Sequence, residues 1–125
     1  MPLVIVVDPD PDARIILETF LQHAGLDVEC ADTAEAALAA IRRRGPAVVV
    51  GEHPIRSADG TALCEVLRRD PATAALPFLA LTSRVTDREF ECAARSHFRV
   101  FAKPPDYASV VQAIREAIEK GLPGA

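Results

Sequence analysis

Five short apolar runs, separated by segments whose hydrophobic residues recur at helical spacing, constrain the fold of this 125-residue chain most strongly. The first run, residues 3–7, is a continuous branched-aliphatic segment, which is typical of a central strand covered on both faces. The other strand candidates are residues 26–30, 47–51, 78–81 and 98–102. Strands that alternate with helices favour a parallel sheet with right-handed crossovers and helices on both faces. The chain is therefore predicted to be a single doubly wound (βα)5 domain of the α/β class.

Capping residues indicate where the predicted helices begin and end. Asp10 before Pro11 is typical of an N-cap followed by proline in the first turn, and Gly25 ends this first helix. Asp32 and Glu35 have the spacing of a capping box for the second helix. Further helices are predicted at about residues 63–70, 87–95 and 106–120. We expect one domain over residues 1–125, with a core from about 3 to 120 and a tail at 121–125.

Polar residues follow four of the predicted strands, at the edge of a parallel sheet where ligands usually bind. An acid, a second acid, a hydroxyl and a lysine end these strands, and they are Asp8, Glu52, Thr82 and Lys103. Polar residues at strand ends are ordinary because those ends meet solvent. Their joint occurrence on four strands favours a functional rim.

Four segments resemble the receiver domain of bacterial two-component response regulators. They are Leu3–Asp8, Pro46–Glu52 with Asp59-Gly60 downstream, Leu81-Thr82-Ser83 and Phe101-Ala102-Lys103-Pro104. The resemblance runs from about Leu3 to Lys120 and implies a five-stranded sheet in the order 2-1-3-4-5. It also implies a site in which an acidic pair after strand 1 helps to hold Mg²⁺ and an Asp after strand 3 accepts a phosphoryl group. A Thr or Ser and a Lys engage the phosphate in that family.

The match to this family pattern is partial. Asp8 corresponds to the first acid of the pair, and Thr82 and Lys103 correspond to the switch hydroxyl and the phosphate-binding lysine. Pro9 stands at the second acidic position, and Glu52 replaces the phosphoacceptor Asp. Two further departures are Arg56, where a proline is usual, and Val100, where the switch aromatic is usual.

These replacements weaken the chemistry that the family pattern implies. Pro9 has no side-chain oxygen for Mg²⁺, and the extra methylene of Glu52 moves its carboxylate about 1.5 Å farther into the site. Asp10 is interpreted as an N-cap rather than as a replacement ligand. We therefore expect no Mg²⁺ cofactor, with Asp8 and Glu52 as ligands only if the site is retained. We also expect an ion pair between Lys103 and Glu52.

The leading hypothesis is an atypical receiver, or pseudo-receiver, that docks on proteins and catalyses nothing. Its partner would be a histidine kinase, another regulator or a second copy. The family implies a homodimer surface on the fourth predicted helix, the fifth strand and the fifth predicted helix. One alternative is a phosphorelay receiver that still accepts phosphate on Glu52 or a neighbour. Another is a flavin carrier or enzyme of similar topology, which the absence of a phosphate-cradling loop after Asp8 disfavours.

Charge and cysteine content bear on the setting of the protein. The net charge of −4 and a pI near 5.3 disfavour a nucleic-acid partner, which usually requires a basic footprint. No apolar run reaches the length of about 20 residues that spans a bilayer. Three widely spaced cysteines suit buried thiols in a reducing cytoplasm. His53, beside Glu52, is interpreted as a rim residue because it lacks a metal-ligand partner at a suitable spacing.

Overall fold

A computed structural model of the chain describes residues 2–82 and 98–120. Five parallel strands form one sheet in the order β2-β1-β3-β4-β5, as predicted. The strands are β1 Leu3–Val7, β2 Asp27–Ala31, β3 Val48–Glu52, β4 Phe78–Thr82 and β5 Phe98–Ala102. The described helices are α1 Pro11–His23, α2 Ala34–Arg44, α3 Leu63–Arg69 and α4 Tyr107–Lys120. Helix α4 is the fifth helix of the sequence prediction, and the predicted helix at 87–95 lies outside the described residues.

Side-chain alternation along the strands divides the core into two layers. Ile5, Val7 and Val49 point to one face of the sheet, where α2 and α3 cover them. Val4 and Val6 point to the other face, where α1 and α4 pack. This arrangement leaves the carboxyl ends of the strands uncovered, and the candidate site lies there.

The central strands approach each other closely at Gly51. A Cβ atom on this residue would lie 2.2 Å from the carbonyl oxygen of Val7 and 2.3 Å from its Cγ1. Val7 and Gly51 are paired neighbours on β1 and β3. Only glycine therefore fits at this position without a shift of the backbone.

The helix caps confirm one sequence prediction and correct another. Asp10 caps α1, where its side chain accepts a hydrogen bond from the backbone N–H of Asp12. Asp32 was predicted to cap α2, but Thr33 is the cap and accepts from the N–H of Ala36. The predicted capping box is also wrong, since Glu35 accepts a hydrogen bond from the N–H of Ala58, 2.7 Å away.

Helix α4 packs against the core layer that contains Val4 and Val6. Ile114 is fully buried, whereas Val111 and Ile118 are only partly buried. Val110, Ala113 and Ala117 complete the buried face. Within residues 2–82 and 98–120, no helix has the length and hydropathy that crossing a membrane requires.

Candidate functional site

Four polar residues at the ends of β1, β3, β4 and β5 lie at one edge of the sheet. Asp8 directly follows β1, Glu52 and Thr82 end β3 and β4, and Lys103 directly follows β5. The ends of β4 and β5 are joined by a backbone hydrogen bond, in which the N–H of Lys103 donates to the carbonyl of Thr82 at 2.8 Å. The four residues predicted to form a polar rim therefore lie at the carboxyl ends of four strands of one sheet.

Lys103 is the centre of this rim. Its Nζ donates to Oδ2 of Asp8 at 2.9 Å and also to Oε2 of Glu52. The predicted Lys103–Glu52 ion pair is present, and Asp8 is a second partner of the same ammonium. One cation thus joins the ends of β1, β3 and β5.

The surroundings of Lys103 affect its protonation. Burial opposes the charged form, but hydrogen bonds to Glu52 and Asp8 outweigh burial, and the pKa of Lys103 is raised above its usual 10.5. The ammonium therefore stays charged at neutral pH.

The Asp8 carboxylate is fully engaged by its own surroundings. It is buried, with a relative exposure of 3% for the residue. Its Oδ1 accepts from the backbone N–H of Asp10 at 2.9 Å, while Oδ2 accepts from Lys103. Arg14 donates to the backbone carbonyl of Asp8 at 2.7 Å, whereas the carboxylate accepts from the N–H of Asp10 and from Lys103.

The oxygen ligands available at the rim do not fit a magnesium site of the kind that the family pattern implies. Mg²⁺ requires closely placed oxygens in near-octahedral geometry. Asp8 and Glu52 both bond Lys103, Pro9 offers no side-chain oxygen, and Asp10 is occupied as a helix cap. Within residues 2–82 and 98–120, no group of three or more His, Cys, Asp or Glu is arranged to hold a metal ion.

His53 does not lie on the rim, so this sequence interpretation is wrong. The residue is buried, with its ring edge-on to Phe78 at a centroid distance of 6.5 Å. Its Nδ1 lies 3.9 Å from the Sγ of Cys64 on α3. Side chains alternate between the two sides of an extended segment, so the position of His53 next to Glu52 in sequence does not place its side chain on the rim.

The two remaining departures from the family pattern are Arg56 and Val100. Arg56 is exposed and its guanidinium donates to the carbonyl of Gly60 at 2.9 Å, which closes the loop after β3. Val100 packs against the core layer under α2 and α3. Ser83 lies outside the described residues.

A cavity of about 310 Å³ opens beside Lys103, and sequence reasoning did not predict it. Its lining comes from the start of α1, the end of β4 and the segment between β5 and α4. The lining residues include Asp8, Asp10, Asp12, Ile16, Lys103 and Tyr107. Only the acidic run Asp8-Pro-Asp-Pro-Asp12 indicated in the sequence that charge would gather here.

A parallel sheet in the order 2-1-3-4-5 with a lysine and two acids at its carboxyl edge defines the class of this protein. The sequence matches the family described as "Response regulator receiver domain" over residues 4–115. The chain belongs to this family of two-component signalling domains.

Relatives in sequence are of two kinds. The chain is 31% identical over 114 residues to an uncharacterized 14.6 kDa protein of Leptolyngbya boryana, covering 90% of this chain and 87% of that protein. It is 31% identical over 83 residues to the DNA-binding dual master transcriptional regulator RpaA of Synechocystis, covering 66% of this chain. The match spans only 34% of RpaA.

Solved structures share the same fold. A sensor protein from Polaromonas is 25% identical, with a TM-score of 0.82, and the match covers 97% of this chain and 98% of that one. A response regulator from Desulfuromonas acetoxidans has a TM-score of 0.84 at 22% identity, covering 95% and 98% of the two chains. The second likeness concerns the fold alone.

Proposed function

We propose that this chain is an atypical receiver domain that acts by docking on a protein and does not transfer a phosphoryl group. The observation that carries the proposal is the Lys103 ammonium, which bonds Asp8 and Glu52 together. In this proposal Glu52 occupies the phosphoacceptor position without accepting phosphate. Thr82 and Lys103 keep the family's positions, but in this site the Lys103 ammonium already binds both carboxylates.

Electrostatics support a site without phosphotransfer. Phosphoryl transfer depends on an aligned nucleophile and on metal ions that neutralise the developing charge. Glu52 is bound to Lys103, and Pro9 removes a metal ligand. We propose that the domain uses no Mg²⁺ cofactor and catalyses no reaction.

We further propose a fixed docking scaffold rather than a switch. A glutamate carries one negative charge, whereas a phosphate carries about 1.5 to 2, so Glu52 imitates a phosphorylated acid only in part. Val100 also lacks the aromatic ring that the family moves on activation. The domain would therefore present one surface at all times.

The partner class follows from charge and family. Receiver domains interact with kinases and regulators, and we propose such a protein, or a second copy through β5 and its flanking helices, as the partner. The net charge of −4 disfavours DNA or an anionic membrane, although RpaA carries a DNA-binding name. A cytoplasmic location is part of the proposal, and the thiols of Cys30 and Cys64, which are not joined in a disulfide, agree with it.

Intact-mass spectrometry after incubation with acetyl phosphate and Mg²⁺ tests the proposal. We expect no added phosphoryl group on the wild-type chain. The double variant Pro9→Asp/Glu52→Asp restores both acids of the family pattern, and we expect it to gain the mass of one phosphoryl group, attached at position 52. A Glu52→Gln chain is the matched negative control.

A phosphoryl mass on the wild-type chain would refute the proposal and favour the phosphorelay receiver. Fragmentation would then locate the modified residue at Glu52 or at a neighbour. Isothermal titration of Mg²⁺ gives a second readout, for which we expect heat of binding from the double variant only.

A further inference from the structure

A buried histidine and a buried cysteine lie side by side at the two ends of the segment 54–62. His53 directly follows β3, and Cys64 lies in the first turn of α3. The Nδ1 of His53 and the Sγ of Cys64 are 3.9 Å apart, and the two residues have relative exposures of 7% and 5%. The proposed docking function uses neither side chain. Thiolates and imidazoles are both metal ligands, so a pair this close is a candidate metal site.

The separation of the two atoms suits one bridging ion. Zinc, a d10 ion, forms bonds of about 2.3 Å to sulfur and about 2.0 Å to nitrogen. With such bonds the sulfur and nitrogen atoms would lie about 3.5 Å apart around a tetrahedral ion and about 4.3 Å apart around a linear one. The observed 3.9 Å lies between these two values. A metal ion can therefore reach both atoms after small adjustments of the side chains.

The number of ligands selects the kind of ion. Zn²⁺ takes four ligands in a structural site, whereas Cu(I) is a soft ion that thiolates select and that two ligands can hold. Within residues 2–82 and 98–120, no third His, Cys, Asp or Glu is placed to form a metal-binding group with this pair. Glu52, which precedes His53 in sequence, is bound to Lys103. The ligand set therefore favours Cu(I) over Zn²⁺ and Mg²⁺.

A neighbouring cation favours the form of Cys64 that binds metals. Arg68 lies one helical turn after Cys64 on α3, and a Cys64 thiolate attracts its guanidinium. The thiolate rather than the thiol is the metal ligand, and nearby cations stabilise it. His53 binds in its neutral form, since a protonated imidazole has no free nitrogen for a metal.

We propose that the Cys64 thiolate and the Nδ1 of His53 bind one Cu(I) ion. The Cys64 thiol loses its proton to solvent as the copper–sulfur bond forms, and copper stays in the +1 state throughout. The segment 54–62 between the two ligands is largely exposed, so its local opening admits the ion. Bound copper would link the end of β3 to the first turn of α3. This site is independent of the docking function proposed above.

Anaerobic competition with bicinchoninate, a chelator that changes colour when it binds Cu(I), tests the proposal. The protein is the full chain with Cys30→Ala and Cys92→Ala, in which Cys64 is the sole thiol. We expect this parent chain to withdraw one Cu(I) from the chelator, and native mass spectrometry should show one copper per chain. X-ray absorption at the copper edge should show one sulfur and one nitrogen neighbour.

Ligand variants of this parent chain make the test specific. We expect Cys64→Ala and His53→Gln each to weaken Cu(I) binding by at least about 100-fold, because even the loss of a second-shell partner costs about 10- to 100-fold. His53→Gln keeps the thiol, so it distinguishes a bridged ion from copper that is bound by sulfur alone. Glu65→Gln, at an exposed position beside Cys64 on α3, is the matched control and should leave the affinity unchanged.

Circular dichroism verifies that each variant is folded. Cu(I) should raise the midpoint of thermal unfolding of the parent chain and leave that of the two ligand variants unchanged, since only a folded site binds the ion. If a ligand variant does not fold, the X-ray absorption spectrum of the parent chain decides.

Three results would overturn the inference. They are retention of all the copper by bicinchoninate, unchanged affinity in His53→Gln, or a copper-edge spectrum with sulfur neighbours only. The acetyl phosphate experiment does not involve these ligands, so this inference and the proposed function can fail separately.

Discussion

Lys103 and Asp8 are 95 residues apart in the chain, yet the Nζ of one donates to Oδ2 of the other at 2.9 Å. The same Nζ donates to Glu52, which lies on the strand between them. Two carboxylates that would otherwise repel each other are thereby held at one edge of the sheet. The stability of this edge should depend on the ammonium.

Replacement of Lys103 by methionine should destabilise the fold. Asp8 is buried, so loss of its cation leaves two neighbouring carboxylates without compensation. We expect the free energy of unfolding to fall by about 1–3 kcal/mol, less than for a fully buried pair because the Lys103 side chain is 21% exposed. Urea denaturation followed by circular dichroism measures this change.

Two controls accompany this prediction. Glu52→Gln in the Lys103→Met background should recover part of the lost stability, because one of the two negative charges is removed. Arg69→Met breaks an exposed ion pair with Glu65 and should change stability by less than about 0.5 kcal/mol. An equal loss of stability in Lys103→Met and Arg69→Met would contradict the role given to Lys103.

The stabilisation from Lys103 should disappear at high pH. Its pKa in the folded chain is raised above the usual 10.5, so the folded state holds this proton more tightly than the unfolded state. The contribution is therefore complete below pH 10.5 and declines as the pH rises through the folded-state pKa. Urea denaturation of the wild type and Lys103→Met from about pH 7 to alkaline pH should give stabilities that converge only at the alkaline end. A constant difference across this range would count against the assignment.

Thr33 rather than Asp32 should stabilise the start of α2. Thr33→Ala removes the side-chain acceptor of the Ala36 N–H, and we expect a loss of about 1 kcal/mol. Asp32→Ala is the matched control one residue earlier and should be nearly neutral. Thermal or urea unfolding of the two variants decides between the caps, and the reverse order of effects would restore the sequence-based assignment.

Gly51→Ala should destabilise the centre of the sheet. The new Cβ would meet the backbone oxygen of Val7 at 2.2 Å, so β1 and β3 must shift apart. We expect a loss of about 1–3 kcal/mol in the free energy of unfolding. The double variant Val7→Ala/Gly51→Ala removes the Cγ1 contact but not the carbonyl contact and should not recover wild-type stability. A Gly51→Ala chain as stable as the wild type would disprove the close approach.

Local patterns predicted the fold well because they are repeated and agree with one another. Each of the five strands lies within one residue of its predicted bounds. A short continuous apolar run such as residues 3–7 is typical of a buried strand and is too short for most buried helices. The strand order came from the family resemblance, because hydrophobic spacing does not specify which strands are neighbours. The cap of α2 was misassigned because Asp32 and Thr33 are both good caps. A tertiary hydrogen bond from the Ala58 N–H to Glu35 also occupies the acid that the predicted box required three residues after Asp32.

The site was predictable residue by residue but not as a network. Alignment of motifs placed Asp8, Glu52, Thr82 and Lys103 on one rim, and the charge balance predicted the Lys103–Glu52 pair. The additional hydrogen bond to Asp8 requires the Lys103 side chain to extend from the end of β5 to the ends of both β3 and β1. Sequence spacing does not contain this information. Phe20 has the helical spacing of a core residue in the sequence, yet its side chain is exposed and stacks on Tyr107 of α4.

The charged edge strand β2 has a consequence for behaviour at high concentration. Edge strands offer open backbone groups that can template cross-molecular pairing and fibre growth. On β2, Glu29 is tied to Arg43 and Arg44 of α2, and Asp27 is exposed at the strand start. An incoming strand would have to desolvate these charged side chains, which is unfavourable. The charges on β2 should therefore disfavour amyloid-like self-association through this edge.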